Sequence, residues 1–127
     1  MAPLVAVVDD DISVRESLES LIRSVGMSVR VFASAEEYMN STDQNQPDCL
    51  ILDVRMPGIS GIELHHHLLA RDCKVPVVFI TAHGSDDRAR AEAASDYTVA
   101  YLTKPFDENE LLDSVHAGLR WNSSTQG

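Results

Sequence analysis

Three carboxylates, a hydroxyl and an ammonium group stand at the ends of short apolar runs. Asp9 and Asp10 follow LVAVV, Asp53 follows CLIL, Thr81 follows PVVFI and Lys104 follows VAYLT. The runs before Asp9, Asp53 and Thr81 are nearly continuous in apolar residues, as strands covered on both faces should be. In open parallel sheets the functional crevice lies beyond the carboxyl ends of the strands, so residues far apart in sequence come to share one edge. Carboxylates gathered there repel, and unpaired like charges raise one another's pKa. A hard divalent cation with oxygen ligands removes the conflict, and Mg²⁺ suits a site with few carboxylates, several waters and a phosphate partner. Lys104 adds a point charge for an anion. The chemistry indicated is Mg²⁺ plus phosphate. Asp11, one step past the acidic pair, is expected to cap the first helix or complement its dipole instead.

Positioning these groups requires a particular set of elements. LVAVVD, VRVF, CLILDV, PVVFIT and VAYLT read as five strands, separated by longer amphipathic segments. SVRE, SAEE and SGIE each place Ser three residues ahead of Glu. In that capping-box pattern the two side chains each satisfy a backbone N–H at a helix start. A fourth helix is expected near Ser85 and a fifth from Asp107 towards Trp121. Five β-then-α units imply an α/β fold, a doubly wound parallel sheet with helices on both faces. Residues 1–121 then form one domain, and the polar segment NSSTQG at 122–127 reads as a frayed end or the start of a linker.

Composition narrows the function further. A chain of 127 residues is one ordinary domain with room for a proper core. Its 10 Lys and Arg against 20 Asp and Glu give a net charge of −10, the wrong sign for a general nucleic-acid surface. No apolar run approaches the length of a membrane span, and no basic leader with an apolar stretch and cleavage site opens the chain. A cytoplasmic setting is expected. Cys49 and Cys73 lack metal-ligand spacing; Cys49, within an apolar run, reads as a small buried hydrophobe. His65, His66 and His67 are consecutive, and successive helix positions point in different directions, so no metal site is expected from them.

VVDDD, LILDVRMPGISGIEL, FITAH and YLTKPF, in that order, resemble the receiver domain of bacterial two-component response regulators. DVRMPGISGIEL is most similar to the FixJ-type branch. The resemblance runs from about Leu4 to about Leu119 and implies a flavodoxin-like receiver fold with five helices and strand order 2-1-3-4-5. It implies that Asp53 is the phosphoacceptor, taking a phosphoryl group from a sensor histidine kinase or a small acyl phosphate. Mg²⁺, with Mn²⁺ as a substitute, and Lys104 would offset charge on the transferring oxygens. Asp10 would ligate the metal directly and Asp9 directly or through water, with Asp53 and the backbone carbonyl of Arg55 completing the protein ligands. Thr81 would hydrogen-bond the phosphoryl group, and Tyr101 is the implied switch aromatic. Pro105 matches a cis-proline beside Lys104. Pro57 and Gly61 would shape the loop after Asp53, although all three also read as plain turn formers. Arg55 and His83 would border the phosphoryl group. The implied activity is limited to the domain's own phosphorylation and dephosphorylation. The implied output is a change at the fourth helix and fifth strand, through which a homodimer would form. A helix-turn-helix DNA-binding domain beyond WNSSTQG is implied if the gene continues; a stand-alone receiver is implied if it does not.

One segment departs from the pattern. AEAASDYTVAYLTKPF lacks the glycine that family members commonly place between the fourth helix and fifth strand, and the interval from Thr81 to Lys104 is about one residue long. Asp96 is the candidate for a positive φ in its place. The altered turn is expected to affect the output face, with a mobile or irregular fourth helix, and not the phosphorylation chemistry. Two rival functions remain on sequence grounds. An aspartyl-phosphate phosphohydrolase usually carries a second Asp two residues after the nucleophile, where this chain has Arg55. A phosphorylation-independent interaction module need not keep the full acidic set.

Overall fold

The computed structural model describes residues 2–41, 46–82 and 87–126. Five strands, β1 (Leu4–Val8), β2 (Ser28–Phe32), β3 (Cys49–Asp53), β4 (Val77–Thr81) and β5 (Thr98–Thr103), alternate with five helices. The helices are α1 (Ile12–Ser24), α2 (Ala35–Met39), α3 (Gly61–Ala70), α4 (Asp87–Ala93) and α5 (Glu108–Gln126). All strand pairs are parallel and the sheet order is β2-β1-β3-β4-β5.

The near-continuous apolar runs divide between two cores because successive strand residues point to opposite faces. Val5, Val7, Cys49, Ile51, Val78 and Ile80 pack with Leu18 and Ile22 of α1 and Leu111 and Val115 of α5. Ala6, Val8, Leu50, Leu52, Val77 and Phe79 pack on the other side with Ala35 of α2, Ile62 and Leu64 of α3 and Ala93 of α4. Burial on both faces is why these strands are not amphipathic.

Helix starts follow the side chains available at the strand ends. Asp11, not Ser13, caps α1: its carboxylate accepts from the Ser13 N–H at 2.8 Å. The expected Ser13–Glu16 box is displaced because the chain turns immediately after β1, which puts Ser13 already inside the helix. Ser34 caps α2, with Glu37 reaching back to the Ala33 N–H at 2.8 Å. Ser60 and Glu63 form a complete capping box on α3. At the other end of the chain the backbone of α5 continues to Gln126, past the expected stop at Trp121. Residues 122–126 contain no Gly or Pro, so nothing in them breaks the helical ladder.

The glycine-free turn after α4 is not closed by a positive φ at Asp96. Among the described residues only Asp72, Gly26 and Gly58 take that conformation. Hydroxyl groups close it instead: Ser95 Oγ accepts from the Tyr97 N–H at 3.1 Å, and Thr98 Oγ1 donates to the Ala93 carbonyl at 2.6 Å. The extra residue is absorbed in the sheet. Val77 pairs with Thr98 but Val78 with Ala100, so Val99 is left over as a bulge. Gly118 of α5 lets the helix approach there; a Cβ on it would lie 3.3 Å from both Val99 Cγ2 and Pro76 Cβ.

Candidate phosphoryl and cation site

The carboxyl ends of β1, β3, β4 and β5 meet on one edge of the sheet. Asp9 follows β1 and is completely buried, Asp10 beside it is exposed, and Asp53 is the last residue of β3. Carboxylate oxygens of Asp9, Asp10 and Asp53 lie within 4.8 Å of one another. Lys104 joins them, with Nζ 2.9 Å from Asp9 Oδ2 and 3.4 Å from Asp53 Oδ2. The other Asp9 oxygen accepts from the Asp11 N–H at 2.8 Å, and Asp53 Oδ1 accepts from the Arg55 N–H at 3.2 Å. Thr81, buried at the end of β4, accepts from the Lys104 backbone N–H at 2.7 Å through its carbonyl.

The loop after Asp53 is built around close backbone approach. Gly61 donates its N–H to the Val54 carbonyl at 3.2 Å, and a Cβ at this position would run into the Asp53 carbonyl oxygen. Gly61 is therefore required by space, not by an unusual φ. Pro57 is exposed in the same loop beside Gly58, whose φ is +77°. The Lys104–Pro105 bond is cis. Arg55 is exposed at the rim, and His83 lies outside the described residues.

Three carboxylates against one ammonium leave the cluster short of positive charge. Burial pushes the Asp53 carboxyl up to about 7, and the charge of Asp9 pushes the same way; Lys104 and the Arg55 N–H only partly oppose them. Burial alone would lower Lys104, but its hydrogen bond to Asp9 and the charges of Asp53 and Asp9 outweigh that and hold the ammonium above its ordinary value. The donor set is all oxygen, clustered, and open to water on the Asp10 side, so it fits a hard divalent cation.

Tyr101 lies on the α4 side of β5, half-buried, with its ring 6.2 Å from Phe79 and Arg90 Cζ 4.7 Å above it. The three histidines diverge. His65 is buried, with Nε2 2.8 Å from Ser95 Oγ, while His66 Nε2 lies 2.9 Å from the Glu92 carbonyl and His67 is exposed. Sequence reading missed both Arg90 and His65. The second was accessible, because Ile62, His65 and Leu68 share the i, i+3, i+6 stripe that α3 buries.

A parallel sheet in this order, with an acidic cluster and a lysine at the point where the strand order reverses, defines the flavodoxin-like receiver class. Residues 5–116 match the response regulator receiver domain, and the chain belongs to that family. Nodulation protein W of Bradyrhizobium diazoefficiens is 46% identical over 114 residues, covering 90% of this chain and 50% of that protein. The transcriptional regulatory protein FixJ of Azorhizobium caulinodans is 40% identical over 123 residues, 97% of this chain and 57% of that one. Among solved structures, response regulator StyR superposes with a TM-score of 0.85 at 44% identity, covering 99% of this chain and 63% of that one. The chain thus spans about half the length of the curated relatives it matches. Receiver domains of this family are phosphorylated by histidine kinases and generally bind Mg²⁺ at an acidic pocket; this chain has such a pocket. Among the described residues, no helix is long and apolar enough to cross a membrane.

Proposed function

We propose that Asp53 is the phosphoacceptor and that Asp9, Asp10, Asp53 and the Arg55 carbonyl hold a Mg²⁺ ion, with Mn²⁺ as a substitute. The observation that carries this is the Asp53 carboxylate itself, buried at the end of β3, bonded to Lys104 and crowded by two further carboxylates. An Asp53 oxygen attacks phosphorus, the bond from phosphorus to the donor's imidazole nitrogen breaks, and the imidazole leaves with the bonding electron pair. Bound Mg²⁺ supplies positive charge for the phosphoryl oxygens. Lys104 would steady charge on the same oxygens, and Thr81 offers its hydroxyl to the phosphoryl group once transfer is complete. Hydrolysis of the acyl phosphate by water resets the site, and Arg55, exposed at its rim, steers the donor or shields the product.

Phosphorylation adds charge beside Thr81, and Tyr101 carries the change to the face formed by α4 and β5. That face is the site of a homodimer or another protein contact. Residues 1–121 constitute the receiver, and the end of α5 leads into a linker to a DNA-binding domain in a cytoplasmic transcription regulator; the domain itself does not bind nucleic acid. The test is incubation with Mg²⁺ and acetyl phosphate, read by intact mass beside Asp53→Asn. Wild type should gain one phosphoryl group and the variant none. No gain in wild type, or equal gain in both, refutes the assignment, and rapid turnover of a phosphate monoester would make the domain a phosphohydrolase instead.

A further inference from the structure

The glycine-free turn between α4 and β5 is tied to α3 by a run of side-chain hydrogen bonds whose direction is set by counting protons. Thr98 Oγ1 donates to the Ala93 carbonyl at 2.6 Å, which uses its one hydrogen. Its 3.2 Å contact with Ser95 Oγ is then a bond only if Ser95 is the donor. That in turn uses the Ser95 hydrogen, so the 2.8 Å contact with His65 Nε2 is a bond only if the imidazole donates. With the Tyr97 N–H on its second lone pair at 3.1 Å, the Ser95 hydroxyl is saturated. Every contact is satisfied when His65 carries a proton on Nε2 and donates to Ser95, which donates to Thr98, which donates to Ala93; burial keeps the ring in its neutral form.

The relay reaches the end of α4, the turn and the first residue of β5 together. Beside it, His66 Nε2 lies 2.9 Å from the Glu92 carbonyl, so groups outside α4 occupy its last two carbonyls, on Glu92 and Ala93. Helix ends otherwise leave such acceptors to water or to capping residues. The His65 ring also stands edge-on to Phe79, with centroids 5.5 Å apart and planes at 80°, and the Phe79 ring lies 6.2 Å from that of Tyr101. One buried side chain therefore touches both the turn that follows α4 and the aromatic that supports Tyr101.

We propose that His65 is a positioning residue for the switch: through Ser95 and Thr98 it holds the end of α4 and the start of β5 in the unphosphorylated arrangement. The proposal rests on the reading of α4 and β5 as the output face. The ring donates from α3, which is anchored by its own capping box and apolar face, so α3 acts as the fixed side of the joint and the turn as the movable one. The chain's missing glycine makes this joint necessary. Without a residue at positive φ to close the turn, its shape depends on the hydroxyls, and they depend on the imidazole for a donor.

The test uses amide hydrogen exchange on the unphosphorylated protein, with His65→Phe, His65→Gln, Ser95→Ala and the His65→Phe/Ser95→Ala pair. Phe keeps the ring packing without the donor; Gln restores an N–H donor. Exchange across Arg88–Tyr101 should rise about tenfold in His65→Phe and in Ser95→Ala, no further in the pair, and return towards wild type in His65→Gln. Independent, additive effects in the pair, or a rise spread equally over β1 and β3, would overturn the proposal. So would an imidazole nitrogen spectrum showing the proton on Nδ1. Phosphorylation of Asp53 by acetyl phosphate should stay within about twofold of wild type in Ser95→Ala, because the relay touches no group of the acidic site. If no variant and no wild-type sample is phosphorylated, the function proposed for Asp53 fails while the exchange result still decides the relay.

Discussion

Asp9, Asp10 and Asp11 are neighbours in sequence with three separate environments. Asp9 is buried and spends its two oxygens on Lys104 and the Asp11 N–H; Asp10 is exposed beside the cluster; Asp11 caps α1. A buried charge is tolerated when it is paired and hydrogen-bonded, and Asp9 is ion-paired through Oδ2 and hydrogen-bonded through Oδ1. His65 shows the opposite solution, burial as the neutral ring. Burial first, and His66 second, lower it from 6.5 to about 4. Between those values the unfolded chain binds more protons than the fold, so this contribution to stability is complete above pH 6.5 and is lost as pH falls towards 4. A shift of this size corresponds to roughly 3 to 4 kcal/mol. Urea unfolding of wild type and His65→Phe across that range should show the wild-type advantage shrinking on acidification; a pH-independent difference would contradict a neutral buried imidazole.

Elements deliver these residues by their ends. β3 is buried throughout and β1 from Val5 to Val8, so each carries its site carboxylate at its exit; α1 then follows closely and α3 only after the loop that leads to Gly61. Gly61 is the tightest point of that return. Gly61→Ala should push the Asp53 carbonyl aside, costing about 1 to 3 kcal/mol in urea unfolding. The same displacement should slow Asp53 phosphorylation at least about tenfold, because transfer depends on placement to within an ångström. Unchanged stability and rate would mean that the loop relaxes freely. The β4–β5 pair illustrates a second device: the bulge at Val99 takes up one residue at the start of β5 and returns Thr81 and Thr103 to register. The irregularity is thereby kept away from Lys104.

At the scale of the molecule the excess of acid acts on stability. A net charge of −10 repels itself in the compact state, so added NaCl should stabilise the fold modestly by screening. Mg²⁺ should do more, since a ligand that binds only the fold contributes about 2.7 kcal/mol once it reaches about 100 times its Kd. Thermal unfolding in MgCl₂ and NaCl at matched ionic strength separates the two. A larger rise in Tm with MgCl₂ in wild type, reduced in Asp10→Asn, is expected; equal rises in both salts would argue against a specific cation site.

The sheet, the strand ends and the acidic cluster follow from the pattern of apolar runs and the polar residues that close them. Doubly buried strands need continuous apolar runs, and a polar residue closing such a run can only lie at its exit. Asp9, Asp10, Asp53 and Thr81 were legible for that reason, and Lys104 as the residue that follows the fifth strand. The tertiary structure decided what depends on contacts between elements. The expected Asp11 cap is present, the tight turn after β1 selecting it over the Ser13 signal, and Gly61 is needed because α3 begins against the Asp53 carbonyl. The missing glycine was visible in the sequence, but its replacement was not. Ser95 and Thr98 are common turn residues, and only the packing of α3 against α4 brings His65 Nε2 to 2.8 Å from Ser95 Oγ. Hydrogen-bond direction is a property of that assembled set, since each hydroxyl's choice of donor or acceptor is forced by the next.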